Sequence, residues 1–124
     1  MLKRVVVSAA VVASSLVAGA LAVPVAAQAS TRYGCTYPRV CFYLTPADWT
    51  AQRPTAAYQD VTSTWQTLGS SSRGSAYAFN SRNDDVAYFH FTNGRQICLR
   101  PDSPLYLSQY GTVDKIRISS SSTC

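Results

Sequence analysis

The clearest hydrophobic pattern in the chain lies in residues 86–100, where two runs of apolar and aromatic residues flank Asn93-Gly94. An Asn-Gly pair between two such runs is a strong β-hairpin signal, because a type I′ turn needs positive φ at both central residues. A two-residue loop would place Thr92 opposite Arg95 and Phe89 opposite Cys98. The pattern therefore predicts two antiparallel strands joined at this dipeptide.

Alternation along these two strands predicts which side chains share a face of the sheet. The expected core face carries Val86, Tyr88, Ile97 and Leu99, and the opposite face carries Phe89, Phe91 and Cys98. Neither set is polar, so neither face is expected to be fully solvated. We therefore predict an interior strand pair of a β-sandwich, with a disulfide covering the second face.

Shorter apolar runs separated by turn residues fill most of the remaining chain, which is typical of an all-β sandwich or small barrel. Strands are predicted over residues 40–44, 54–59, 75–79, 105–107 and 113–118. Turns or connectors are predicted over residues 45–48, 69–74, 80–85 and 101–104. Residues 61–68 have helical spacing but weak helix formers, so we expect one short helical turn there at most.

The first 29 residues differ in kind from the rest. Lys3-Arg4 precedes an apolar run over residues 5–23, followed by Pro24 and the small-residue motif Ala27-x-Ala29. This order is typical of a secretory signal peptide cleaved before Ser30. The alternative is an uncleaved membrane anchor, since the apolar run approaches spanning length; the proline and the cleavage motif favour removal and secretion into the extracellular space.

Residues 1–29 as a signal peptide leave one domain, residues 30–124. Without Lys3 and Arg4, nine of the 11 basic residues remain against six aspartates, a net charge of +3, and there is no glutamate. This mild charge is not a nucleic-acid-binding signature. We expect a monomer without a nucleic-acid partner and without membrane contact after signal cleavage.

The four cysteines of the chain are an even set in an exported domain too small for a large core, which predicts two disulfides. They are Cys35, Cys41, Cys98 and Cys124. Three pairings are possible; proximity favours Cys35–Cys41, with Cys98–Cys124 by exclusion. A four-cysteine zinc site is disfavoured because no CxxC spacing is present.

Catalytic chemistry finds little support. His90 is the single histidine. A catalytic histidine base would need a nucleophile, but the sequence has no GxSxG motif and no cysteine expected to be a free thiol. A partly buried sheet histidine is therefore the favoured interpretation. Ribonuclease-type acid–base catalysis relies on a glutamate, which the chain lacks. Asp84-Asp85 would point to opposite faces of a strand, so paired-carboxylate hydrolysis is disfavoured. We expect a protein that is not an enzyme and has no cofactor.

Two binding hypotheses remain. Asn83, Asp84 and Asp85 form an incomplete oxygen-ligand set, which predicts at most a weak calcium site. Tyrosine and arginine concentrate in protein-binding hot spots. The chain has ten candidates for such a surface: Tyr33, Tyr37, Arg39, Arg73, Arg82, Tyr88, Arg95, Arg100, Tyr106 and Tyr110.

Several motifs together resemble a family. Cys35-x5-Cys41 followed by an aromatic strand, a mid-chain Trp, an Asn-Asp turn and the closing residues 113–118 are similar to small exported actinobacterial proteins of βγ-crystallin type. That group includes the streptomycete metalloproteinase inhibitor family. The resemblance implies a small Greek-key β-sandwich with two disulfides, a Cys35–Cys41 clip and peptidase inhibition.

The chain departs from this family at two places. The family's calcium signature has hydroxyl residues where Ala87 and Tyr88 stand, which argues against a tight calcium site. The inhibitor's reactive segment lies in a short disulfide-closed loop in its later half, whereas Cys98 and Cys124 are far apart in this chain. The resemblance therefore implies inhibition without supplying a matching reactive residue.

Our leading hypothesis is a secreted, non-catalytic peptidase inhibitor that presents a rigid, extended loop to an extracellular metallo- or serine peptidase. The candidate inhibitory loop is Tyr37, Pro38 and Arg39, inside the Cys35–Cys41 ring. The runner-up loop is Arg100, Pro101, Asp102, Ser103 and Pro104. The alternatives are a βγ-crystallin-type binding module or toxin-like protein with weak or no calcium binding, and an envelope-stability protein without a dedicated partner.

Overall fold

Ten short β-strands, one short α-helix and one 3-10 turn make up the part of the chain that the structure describes. The structure is a computed structural model, and it describes residues 30–124, so the predicted signal peptide over residues 1–29 lies outside the described residues. The elements are β1 (Thr31–Arg32), β2 (Cys35–Thr36), β3 (Val40–Tyr43), α1 (Pro46–Thr50), β4 (Ala56–Tyr58), β5 (Gln66–Thr67), β6 (Tyr77–Asn80), β7 (Val86–Phe91), β8 (Gln96–Leu99), β9 (Ser103–Tyr106), the 3-10 turn (Leu107–Tyr110) and β10 (Val113–Ser119). Among these elements, no helix is long and apolar enough to cross a bilayer.

The strands form two four-stranded antiparallel sheets and one separate hairpin. Sheet I has the order β9-β6-β3-β4, sheet II has the order β5-β10-β7-β8, and β1 pairs with β2. Each half of the chain gives one strand to the other half's sheet, because β5 joins sheet II and β9 joins sheet I. The predicted all-β sandwich is confirmed, while its Greek-key description stays a prediction.

The core lies between the two sheets. Val40, Phe42 and Ala78 of sheet I face Phe89 and Ile116 of sheet II, and all five are fully buried. The rings of Phe42 and Phe89 meet edge to face, with centroids 5.6 Å apart. Burial of such side chains is the main favourable term in folding, at roughly 1.5–3 kcal/mol for each large apolar residue.

The hairpin β7–β8 is present, but its register differs from the predicted one by one residue. Phe89 lies opposite Ile97, and Ala87 lies opposite Leu99. The loop has three residues, since the amide of Phe91 donates to the carbonyl of Arg95 at 2.9 Å. A shift of one residue exchanges the two faces of a strand.

The predicted core face of this hairpin is therefore wrong for β7. Ala87, Phe89 and Phe91 point into the core, whereas Val86 and Tyr88 lie on the outer face. The reason is the turn: among loop residues 92–94 only Gly94 has positive φ, at 89°, as expected for a three-residue loop with one left-handed position. The Asn93 side chain instead donates to the Tyr110 carbonyl at 2.9 Å and accepts from the Arg95 amide at 3.0 Å.

Both predicted disulfides are confirmed. Cys35–Cys41 and Cys98–Cys124 each span 5.9 Å between Cα atoms. Cys98 lies opposite Tyr88 and so on the outer face of sheet II, where its disulfide holds the C-terminal tail. Of the three residues predicted for the second face, only Cys98 therefore lies on the outer face, since Phe89 and Phe91 are in the core.

The helix α1 lies where a turn was predicted. The Thr45 hydroxyl accepts from the Asp48 amide at 3.1 Å, the Asp48 carboxylate accepts from the Thr45 amide at 3.2 Å, and Pro46 occupies the first turn. This reciprocal capping box and an N-terminal proline are established helix-start signals. The residues that end the preceding strand therefore also begin a helix.

Residues 61–68 contain no helical turn, so the helical spacing there is misleading. Val61 forms a bridge with Ile118, and Gln66–Thr67 pairs with β10 as an edge strand. Tertiary pairing with β10 has overridden a weak local preference.

Candidate functional site

The two predicted loops and the Asn-Asp turn meet at one end of the sandwich. Val40 lies opposite Asn80, and Asn80 lies opposite Ser103, so the segments that adjoin these three residues are neighbours. We call this region, residues 36–39, 81–85 and 100–102, the loop end. Ser103 and Pro104, which were predicted to lie in the connector and the runner-up loop, belong to β9, where they pair with Asn80 and Phe79. Segments that were separate hypotheses in the sequence form one surface in the fold.

Arg82 holds the loop end together. Its Nη1 donates to the carbonyl oxygens of Pro38 at 2.8 Å and Gln59 at 3.1 Å. Its Nε and Nη2 contact the Asp85 carboxylate at 2.7 and 2.6 Å. The Arg82 side chain is only 12% exposed, so this arginine serves the structure and not the protein-binding surface on which it was expected.

The Cys35–Cys41 ring is a closed turn. The Arg39 amide donates to the Thr36 carbonyl at 3.0 Å, and the Arg39 carbonyl accepts from the Ser81 amide at 3.0 Å and the Ser81 hydroxyl at 2.6 Å. The Tyr37 amide donates to the Ser30 carbonyl at 2.9 Å, and the Tyr37-Pro38 peptide bond is cis. The backbone amide and carbonyl of Arg39 are therefore both hydrogen-bonded within the protein. The Arg39 side chain is exposed to solvent.

The second loop is tied to the same centre. The Asp102 amide donates to the Arg82 carbonyl at 3.1 Å, and the Asn80 amide group donates to the Arg100 carbonyl at 3.3 Å. The Asp102 carboxylate pairs with Arg32 at 2.6 Å, and Asp102 has a φ of 53°. The loop is therefore anchored on both sides, while the Arg100 side chain is exposed.

A small polar cleft of about 150 Å³ separates the hairpin β1–β2 from this loop. Ligand pockets for drug-sized molecules are usually about 300–1,000 Å³, so the cleft suits one short side chain or a few waters. It is lined by Ser30, Arg32, Cys35, Phe79, Ser81, Asn83 and Asp102.

The calcium prediction gains little from the geometry of Asn83, Asp84 and Asp85. The Asp85 carboxylate is engaged by Arg82, while Asn83 and Asp84 are exposed. Within residues 30–124, no three His, Cys, Asp or Glu side chains are grouped closely enough to hold a metal ion. Calcium at this turn would have to compete with a guanidinium for one of the two carboxylates.

His90 lies on the outer face of sheet II, partly buried, as expected. Its Nδ1 lies 2.7 Å from Asp114 Oδ1, and the second oxygen of Asp114 accepts from Lys115 at 3.3 Å. A register shift in β10 between Val113 and Lys115 places Asp114 beside the histidine. Burial raises the pKa of Asp114, but the hydrogen bonds and charges of His90 and Lys115 more than offset this and lower the pKa below its usual value.

The same face carries a cluster that the sequence patterns do not reveal. The Arg117 guanidinium carbon lies 4.4 Å from the Tyr88 ring centroid and 5.4 Å from that of Trp65. The available signal is the alternation of Lys115 and Arg117 with the buried Ile116 and Ile118. That signal does not extend to Trp65, because no local pattern marks residues 61–68 as a neighbour of β10.

Comparisons of this chain with protein-family models, with curated proteins and with solved structures found no match. The resemblance to βγ-crystallin-type inhibitors therefore stays a prediction.

Proposed function

We propose that this protein is an exported, non-catalytic inhibitor of an extracellular peptidase and that it contacts its target through the loop end. The observation that carries the proposal is the attachment of both candidate loops to Arg82 and its neighbours. Two disulfides in a small all-β domain are typical of proteins from an oxidising, extracellular compartment, which supports the proposed export.

Preorganisation is the main physical support. A flexible loop loses conformational freedom when it binds, and this loss reduces affinity. The Tyr37–Arg39 segment is held by a disulfide ring, by Arg82 on the Pro38 carbonyl and by Ser81 on the Arg39 carbonyl. Such a segment has little freedom left to lose when it meets an enzyme surface.

The exposed charged side chains of the loop end that lie outside any ion pair are two cations, Arg39 and Arg100, and one anion, Asp84. Arg39 and Arg100 are exposed, and neither belongs to the four Lys or Arg ion pairs or to the His90–Asp114 contact found within residues 30–124. Arginine is one of the residue types that dominate binding energy at interfaces. A peptidase with an acidic specificity pocket or an acidic cleft rim is the expected target.

The proposed contact differs in one respect from the extended, substrate-like loop expected from the sequence. An extended inhibitory loop pairs its backbone with the enzyme, but the amide and carbonyl of Arg39 are already bonded to Thr36 and Ser81. We therefore propose that side chains of the loop end block the cleft, without the backbone entering it as a substrate would.

The test is an inhibition panel of extracellular serine and metallopeptidases, using the exported protein recovered from culture medium. At least one peptidase should be inhibited at near-stoichiometric concentration. Arg39→Asp should weaken that inhibition by about 30- to 100-fold, as expected when a hot-spot arginine is replaced by the opposite charge.

Arg73→Asp is the matched control, because Arg73 is an exposed arginine at the opposite end of the sandwich, beside the Gly74 amide that donates to Val113. It changes the net charge equally and should leave inhibition within about threefold. An equal loss in both variants, or no inhibited peptidase in the panel, would refute the proposal.

A further inference from the structure

We propose that the outer face of sheet II binds an acidic segment of a partner protein, with the Arg117 guanidinium as the carboxylate receptor. We call Trp65, Tyr88 and Arg117 the Arg117 cluster. This site is separate from the loop end, and the proposal does not depend on peptidase inhibition.

The guanidinium of Arg117 is held in a fixed position. Arg117 on β10 lies directly opposite Tyr88 on β7. Trp65 immediately precedes β5, which pairs with β10 on its other side through Gln66 and Ile116. The cation therefore lies between two aromatic rings, an arrangement that restricts its rotamers and stabilises its charge.

The outer face of sheet II leaves the charge of Arg117 unpaired. Asp114 is the one acid among the outward residues of β5, β7, β8 and β10, and it is already paired with His90 and Lys115. Within residues 30–124, the Arg117 side chain forms neither an ion pair nor a hydrogen bond. Cation–π contacts use the flat face of the guanidinium and leave its N–H donors at the edge available.

The chemistry of the Arg117 cluster fits a carboxylate ligand with apolar neighbours. A guanidinium fork matches a carboxylate through two parallel hydrogen bonds, and Trp and Tyr beside it offer apolar area for neighbouring side chains. The unpaired positive charge of Arg117, together with the domain's excess of basic residues, favours encounter with an acidic partner. An acidic residue flanked by apolar residues in a protein segment satisfies all of these features.

The probe is an acetylated, amidated heptapeptide in which three glutamates alternate with leucines, and its control is the same peptide with glutamines. Binding is followed by NMR of the ¹⁵N-labelled protein, through the Arg117 Nε–H and the Trp65 indole N–H. The glutamate peptide should give saturable shifts at both groups, and the glutamine peptide should give none.

Three variants separate the fork from simple charge. Arg117→Gln should abolish saturable binding, and Arg117→Lys, which keeps the charge without the fork, should weaken it by about tenfold. Arg95→Gln is the matched control, because Arg95 also lies over a ring, that of Tyr110 at 5.2 Å, but at the hairpin loop. It should leave the affinity within about twofold.

Several outcomes would overturn the proposal. Full binding by Arg117→Lys, or equal losses in Arg117→Gln and Arg95→Gln, would show diffuse charge attraction. Shifts with inorganic phosphate but none with the glutamate peptide would assign the site to a non-protein anion. Because Arg39→Asp should leave peptide binding intact and Arg117→Gln should leave peptidase inhibition intact, failure of one proposal is distinguishable from failure of the other.

Discussion

The outer faces of the two sheets carry similar aromatic side chains but differ in how far these are buried. Both carry large aromatic side chains at alternate positions of their central strands, with Tyr43 and Phe79 on sheet I and Tyr88 on sheet II. On sheet I these side chains become a second core, whereas on sheet II they stay at the surface. The difference shows that an outward aromatic residue becomes core only where another segment covers it.

The cover of sheet I comes from the hairpin β1–β2 and the helix α1. Trp49 of α1 is stacked between Tyr33 at 4.7 Å and Tyr77 at 4.9 Å, and it meets the edge of Tyr43 at 4.9 Å. Phe79 and the Cys35–Cys41 disulfide complete this cluster. The outward positions of sheet I carry no charged residue among the described strands, which is consistent with burial.

Sheet II has a different outward composition. His90, Asp114, Lys115 and Arg117 are interleaved with its aromatic residues, and the Cys98–Cys124 tail covers only one end. Charged groups are costly to bury, so this face is suited to contact with water or with a charged partner. The uncovered face is therefore the one available for recognition.

The largest expected effect separates the two tryptophans. Trp49→Ala should lower the free energy of unfolding by about 3 kcal/mol, because Trp49, although partly exposed, packs against the rings of Tyr33, Tyr43 and Tyr77. Trp65→Ala should cost only about 1 kcal/mol, since Trp65 packs on a surface cation. Urea unfolding followed by circular dichroism measures both, and equal losses would mean that the two faces are buried to the same degree.

The next effect concerns pH and the covered face. Tyr43 is fully buried and donates to the Tyr33 carbonyl at 2.6 Å, and burial raises the pKa of Tyr43 to about 12. Because the pKa in the folded protein is the higher one, stability is full below about pH 10 and is lost as pH rises towards 12. The loss should be on the order of 2–3 kcal/mol in total.

Tyr43→Phe is the control for that alkaline loss. It should cost about 1 kcal/mol at neutral pH through the unsatisfied Tyr33 carbonyl, and it should remove this part of the alkaline dependence. An unchanged alkaline slope of unfolding free energy in this variant would assign the loss to other groups.

The smallest expected effect lies on the open face. The lowered pKa of Asp114 means that its pairing with His90 and Lys115 stabilises the fold above the carboxyl's usual pKa and is lost as pH falls through the folded value. Asp114→Asn should therefore cost about 1 kcal/mol at pH 7, and the difference from the wild type should vanish in acid. Thermal unfolding between pH 7 and pH 2 measures this difference, and a constant gap across that range would contradict it.

Local patterns are sufficient to predict much of the fold. Alternating apolar runs identify most strands, and the even cysteine count with sequence proximity predicts both disulfides. The same patterns fail at the hairpin register, because Asn93 uses its side chain to bond Tyr110, which is 17 residues away. They fail again at residues 61–68, where pairing with β10 decides the structure.

The candidate site divides in the same way. Arg39 and Arg100 can be named from turns, rings and prolines in the sequence, but Arg82 cannot be recognised as their anchor. Its contact with Pro38 joins residues 44 positions apart, and no local spacing reports such a contact.

Residue spacing specifies which side chains share a face of a strand, so the strand segments, the hairpin and the disulfide framework follow from the amino-acid order by itself. Spacing does not specify what lies over that face. Whether an aromatic row became core or surface, and whether three loops became one site, depended on contacts between distant segments. Those contacts form only when the whole chain is folded.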